Sequence, residues 1–204
     1  MESPFDYSRV WQWLDTKGKK FYGEKFQLYE EDRPIIDALL CYFLQDSLTA
    51  PLLGINPHKG ILLSGPIGCG KTSLMNLLKY LTAPSHRHTI KSCRDISYEF
   101  IRDGYDVIHR YSRSAPGRYE PQIFCFDDLG TEKSLKYYGN ECNVMAEILL
   151  TRYDLFTSRQ LITHLTTNLN ATELEAAYGS RVRSRLREMF NLISFDATSK
   201  DKRK

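Results

Sequence analysis

Gly65-Pro66-Ile67-Gly68-Cys69-Gly70-Lys71-Thr72 fits the spacing G-x-x-x-x-G-K-[ST] and follows the apolar run Ile61-Leu62-Leu63, which reads as a buried strand. Glycines 65, 68 and 70 permit positive φ and close approach, so successive backbone N–H groups can ring a phosphate. A helix starting near Lys71 adds the positive end of its dipole. Lys71 is then placed to hold β- and γ-phosphates and Thr72 to ligate Mg²⁺, with Ser73 completing the loop. Leu74, Leu77, Leu78 and Leu81 follow at helical spacing, so strand, loop and amphipathic helix agree. The plain alternative is a glycine-rich turn that matches by chance.

A second motif lies downstream. Ile123-Phe124-Cys125-Phe126-Asp127-Asp128 is a hydrophobic strand ending in two carboxylates, which places charge at the carboxyl edge of a parallel sheet beside the loop. Asp127 is expected to orient the Mg²⁺ shell, and Asp128 to polarise an attacking water. A single acid after a strand is commonly a turn residue; two, paired with a full phosphate loop, are more specific. Leu161-Ile162-Thr163-His164-Leu165 runs into Thr166-Thr167-Asn168, which puts a neutral amide at the same edge. Asn168 can bond a γ-phosphate or hold the water, although asparagine at a strand end is often turn chemistry.

Further outward, five apolar segments alternate with helical stretches: Gly60–Ser64, His88–Cys93, Gln122–Asp127, Gln160–Thr166 and Asn191–Phe195. The alternation predicts an α/β fold with a mainly parallel sheet. Helices are expected after the loop, over about 95–113, 140–156 and 172–190. Thr172-x-x-Glu175 reads as a capping box, and Gly179 as a break. Residues 1–50 read as an aromatic appendage with a helix over about 34–48, residues 51–196 as the core, and residues 197–204 as a basic tail.

The 204 residues, 42% apolar and 26% charged, suit one ordinary domain. No apolar run reaches membrane-spanning length and no signal-peptide pattern is visible, so a cytoplasmic protein without membrane contact is expected. Five cysteines without a C-x-x-C pair predict reduced thiols. His86-Arg87-His88 reads as a solvated loop rather than a metal site. A net charge of +3 predicts little. From Arg181 to Lys204, however, eight basic residues face three acidic ones, a local charge of +5 that suits a phosphate-bearing partner. Within it, helical spacing puts Val182, Leu186, Met189 and Phe190 on one broad face and Arg181 with Arg185 on another. An arginine reaching across a subunit interface can stabilise phosphoryl transfer; pairing of Arg185 with Glu188 is the alternative.

In this order, the phosphate loop, Phe126-Asp127-Asp128-Leu129-Gly130-Thr131-Glu132, Leu165-Thr166-Thr167-Asn168 and Tyr178-Gly179-Ser180-Arg181-Val182-Arg183-Ser184-Arg185-Leu186 resemble the DnaC/DnaI/IstB branch of AAA+ ATPases, the helicase loaders and transposition helpers. The resemblance covers about residues 60–195. It implies a P-loop NTPase three-layer sandwich with sheet order 5-1-4-3-2, ATP with Mg²⁺, and a head-to-tail homo-oligomer on single-stranded DNA serving a replicative helicase or a transposase. It also implies roles for Asn168 as phosphate sensor, Arg185 as arginine finger and Arg181 beside it. The segment 95–118, with Arg102, Arg110, Arg113 and Arg118, matches the place where this branch adds a DNA-contacting helix; an ordinary sheet-covering helix is the alternative. Three departures stand out. Asp128 replaces the commoner Glu, with Glu132 near enough in sequence to help; no C-terminal lid domain is expected; and the amino-terminal segment is short. The rival reading is a nucleotide-gated protein adaptor with little hydrolysis, and a small-molecule kinase is weaker still. The amino-terminal aromatics read as a partner-docking or nucleotide-flanking segment, because nearby acids offset the lysines that would guide a DNA backbone.

Overall fold

Residues 3–113, 122–132, 135–137, 140–199 and 201–202 are described by the computed structural model. Helices α1 (Tyr7–Tyr22) and α2 (Arg33–Phe43) precede strand β1 (Gly60–Ser64) and helix α3 (Lys71–Leu78). Then come β2 (Thr89–Ser92), α4 (Cys93–Asp103), α5 (Asp106–Ser112) and β3 (Phe124–Leu129). A short hairpin of β4 (Leu135–Tyr137) and β5 (Asn140–Cys142) leads to α6 (Val144–Arg159), β6 (Thr163–Thr167), α7 (Ala171–Met189) and β7 (Phe190–Ser194).

The five longer strands pair in parallel in the order β2-β3-β6-β1-β7. Numbered by their own sequence order and read from the other edge, this is the expected 5-1-4-3-2. Alternation along β1 divides the core: Ile61 and Leu63 point to one face and Leu62 to the other. The first face is covered by α1, α2 and α3, where Trp11, Leu14, Ile36, Leu39, Leu77 and Leu78 are buried together. The second is covered by α4 to α7 through Ile96, Phe100, Val107, Ile148, Leu174 and Leu186. Three layers result, and every parallel strand delivers its carboxyl end to one edge.

Several local expectations shift. The segment expected as one helix over 95–113 breaks at Gly104 into α4 and α5, and α2 stops at Phe43, where Gln45 turns into the left-handed region at φ 56°. The start of α7 is capped by Asn170, not Thr172: its side chain accepts from the N–H of Thr172 and Glu173, and Glu173 returns a bond to the Asn170 N–H. Thr172 therefore already lies inside the helix. Gly179 breaks α7 as expected, at φ 84°, a conformation other residues rarely hold. His88 is in the core and not in a solvated loop; its Nε2 pairs with the Met75 carbonyl, and burial pulls its pKa down to about 4. The α1 helix itself had no counterpart in the sequence reading beyond its aromatic content.

Candidate active site

The loop between β1 and α3 has the shape its glycines promise. Gly70 stands at the helix N-terminus with φ 97°, with open space where a Cβ would be, so backbone conformation alone demands glycine there. Lys71 is 5% exposed, and its ammonium donates to the carbonyls of Gly65 and Pro66 at 2.9 Å each and to Asn168 Oδ1 at 2.7 Å. The lysine is thus folded back over its own loop and tied to the end of β6. Such a cation already desolvated and, among the described residues, held by neutral acceptors only, fits a phosphate group.

The two carboxylates owe their positions to an irregularity in β3. Phe126 pairs with Leu165 and Leu129 with Thr167, so the stretch after Phe126 holds one residue more than its partner strand, a β-bulge. Asp128 takes up the extra residue in the left-handed region, at φ 55°. Asp127 turns inward and accepts from the Thr72 hydroxyl at 3.0 and 3.1 Å and from the Thr166 hydroxyl at 2.6 Å. The Thr166 oxygen in turn accepts the Asp128 N–H at 2.9 Å, so one hydroxyl fixes both acids. Burial raises the Asp127 pKa; the Thr166 and Thr72 hydrogen bonds and the Lys71 charge oppose this, and the neighbouring Asp128 charge reinforces it. A buried carboxylate beside a threonine hydroxyl is an all-oxygen donor pair that fits Mg²⁺, whose charge would offset the penalty.

Lys71, Thr72, Asp128 and Asn168 line a cleft of about 300 Å³. One wall is Ile67 to Leu74, with Asp128, Thr131 and Asn168 at its end. The opposite wall is Phe26, Gln27, Leu28 and Tyr29, leading into Asp32 and Ile36. This wall was legible only as a general nucleotide-flanking possibility, because nothing in its spacing marks it. Lys202 was not foreseen as a site residue. Its N–H donates to the Gly68 carbonyl at 3.0 Å, its ammonium pairs with the buried Asp32 carboxylate, and it lies 5.1 Å from both the Tyr29 and Phe195 rings. Thr166 also went unnoticed; its only signal was its place one strand over from two acids.

Other expected residues lie elsewhere. Arg185 packs on Tyr153, 4.2 Å from the ring, and donates to the Tyr153 hydroxyl at 3.1 Å and to Glu188 at 3.2 Å; Arg181 is exposed on the same helix. Neither joins the cleft. Glu132 accepts from the Gly130 N–H at 2.9 Å and from the Tyr178 hydroxyl, and it does not line the cleft. Two arginines of α4 and α5 are engaged in ion pairs with acids of α4. Arg110 binds Glu99 at 3.0 Å and Asp103 at 3.1 Å, and Arg102 also holds Asp103. Arg113 is exposed, and Arg118 lies outside the described residues, as do Lys200, Arg203 and Lys204 of the tail. Among the described residues no helix is long and apolar enough to cross a membrane.

A family model described as "ATPase family associated with various cellular activities (AAA)" matches residues 61–192. Among curated proteins, the proteasome-activating nucleotidase of Pyrococcus abyssi is 29% identical over 111 residues, 52% of this chain and 28% of its own length. That of Thermococcus onnurineus is 30% identical over 94 residues, 45% of this chain and 23% of its own. The chain thus spans less than a third of the curated relatives it matches. Among solved structures, the DnaC helicase loader superposes with a TM-score of 0.58 at 16% identity, covering 87% of this chain and 99% of that one. DnaI gives 0.55 at 17%, over 83% and 87%. The AMPPCP-bound DnaA of Aquifex aeolicus gives 0.54 at 16%, over 87% and 50%. These likenesses are of fold.

Proposed function

Because this chain belongs to the AAA family of ATPases, we propose that it binds ATP with Mg²⁺ in the cleft between the phosphate loop and residues 26–29, hydrolyses it, and works on DNA as a helicase loader or transposition helper. The observation that carries the chemistry is convergence: Lys71, Thr72, Asp127, Asp128 and Asn168 come from three adjacent strand ends and meet at one edge of the sheet. Lys71 and the loop N–H groups hold the β- and γ-phosphates; Thr72 and Asp127 hold Mg²⁺, which supplies charge neutralisation on those phosphates. Asp128 accepts the proton of the attacking water, and Asn168 keeps the water and γ-phosphate in line. Arg185, anchored on Tyr153 away from its own cleft, serves the cleft of a neighbouring copy in a head-to-tail assembly.

The DNA side of the reading is supported by the shared fold with DnaC, DnaI and DnaA and by the order of the motifs. A nucleotide-gated adaptor is favoured by one feature, the short Asp128 side chain on its strained bulge, which reaches less far than a glutamate. Turnover measured with and without single-stranded DNA separates the two. Stimulation of phosphate release by DNA, abolished in Lys71→Ala, is the expected result. ATP binding without turnover at any DNA concentration would instead establish the adaptor.

A further inference from the structure

Three cations gather around one aromatic ring on the face of the molecule opposite α4 and α5. Tyr80 sits in the turn after α3. The Lys17 ammonium lies 4.0 Å from its ring centroid, and Lys79 and Arg87 each lie 5.3 Å from it. Lys17 also lies 4.6 Å from the Trp13 ring and 5.8 Å from that of Phe21, which stacks on Tyr80 at 5.8 Å. Three separated stretches of chain therefore build one patch. Trp13 is 39% exposed and Phe21 49%, so both rings keep free surface.

The acids that argued against a nucleic-acid role for this segment point elsewhere. At about 100° per residue, Trp13, Lys17 and Phe21 form a slowly drifting stripe along α1, with Asp15 and Lys19 on the far side of the helix. Asp15 is committed to Lys19 at 2.6 Å and to the Leu28 N–H at 3.0 Å, and Asp6 caps the start of α1. Among the described residues, Lys17, Lys79 and Arg87 have no carboxylate within ion-pair reach. The Lys79 pKa is pushed down, first by burial and then by the Arg87 charge, as in a cluster of like charges without an acid to relieve it.

We propose that the Trp13–Lys17–Phe21 stripe with Tyr80, Lys79 and Arg87 is a surface for single-stranded DNA, separate from α4 and α5. The inference rests on the DNA-associated reading and locates it. Exposed rings interleaved with cations match the alternation of base and phosphate in an unpaired strand. An acidic peptide would use the cations but leave the rings idle, and a duplex keeps its bases stacked on one another.

The test is fluorescence anisotropy of labelled oligo-dT with the full chain over a range of salt. Lys17→Gln/Lys79→Gln/Arg87→Gln should weaken binding tenfold or more and lower the log–log salt slope by roughly 2, at about 0.7 per contact. The triple Lys17→Arg/Lys79→Arg/Arg87→Lys, which keeps the charge, should restore both. Trp13→Ala should weaken binding about tenfold at unchanged slope, since stacking releases no counterions. Arg110→Gln should change neither quantity. If the parent binds oligo-dT and the Gln triple and Trp13→Ala do not differ from it, the surface is wrong while the DNA reading stands. If the parent hydrolyses ATP and binds no oligo-dT, the DNA reading falls with it. Tighter binding of oligo-U, or displacement by polyglutamate with Trp13→Ala unaffected, would reassign the patch to RNA or to an acidic protein and overturn the proposal.

Discussion

The Thr166 hydroxyl donates a hydrogen bond to Asp127 and accepts one from the Asp128 N–H, so a single oxygen holds the two acids in unequal poses. Asp127 is buried and pinned, whereas Asp128 is partly exposed and lines the cleft. The proposed roles therefore separate on mutation. Asp127→Asn should weaken Mg²⁺-dependent nucleotide binding, while Asp128→Asn should keep binding and lose turnover; isothermal titration beside a phosphate-release assay reads both, and equal loss of binding would show the roles misassigned. Thr166→Val keeps the shape but leaves the Asp128 N–H without its acceptor and removes a donor from Asp127. Turnover should fall about tenfold or more with the fold intact, an effect of roughly 1.4 kcal/mol on the barrier. Normal turnover in a stable Thr166→Val protein would mean that the hydroxyl is packing alone.

At the scale of elements, Asp46 closes the turn after α2 and fastens the amino-terminal residues to it. It accepts from Ser3 at 2.5 Å, Tyr7 at 3.0 Å, the N–H groups of Leu48 and Thr49 at 3.1 Å, and the Thr49 hydroxyl at 2.7 Å. Burial would raise its pKa from 3.8, but the bonds from Ser3, Thr49 and Tyr7 outweigh it and bring the group down to about 2. The folded state thus favours the carboxylate, and the stabilisation is full above pH 3.8 and fades as pH falls toward 2. Asp46→Asn should lower Tm by a few degrees at pH 7, with the gap narrowing through that acid window; a gap independent of pH would exclude the charge as its source. The strands and α3 were legible because their apolar runs and glycines state a period and a turn directly. The bulge at Asp127–Asp128 was not, since a bulge depends on the register of β6, which no local pattern carries. The hairpin β4–β5 was hidden for the same reason, and α1 was obscured by aromatics on both of its faces. The arginines of α4 and α5 were read by charge alone, while their acceptors Glu99 and Asp103 stand on α4 itself.

For the whole molecule, the sheet edge supplies every proposed catalytic group except the arginine, and Arg185 is held on α7 by Tyr153 and Glu188. A second copy is the natural recipient. Arg185→Ala should spare ATP binding and suppress turnover in the assembly. Mixing it with Asp128→Asn should recover activity above either alone, because some interfaces then join an intact cleft to an intact finger; no recovery at several ratios, with subunit exchange confirmed, would assign Arg185 to structure. The pairing of Lys202 with Asp32 across 170 positions of sequence, with the Lys202 N–H on the Gly68 carbonyl, bears on how the protein should be handled. An affinity tag appended after residue 204 begins three residues from a group that touches the phosphate loop. Such a fusion should loosen nucleotide binding several-fold relative to the same chain after proteolytic removal of the tag, measured by titration with a fluorescent ADP analogue. Identical affinities before and after cleavage would show that the tail can leave the loop without consequence.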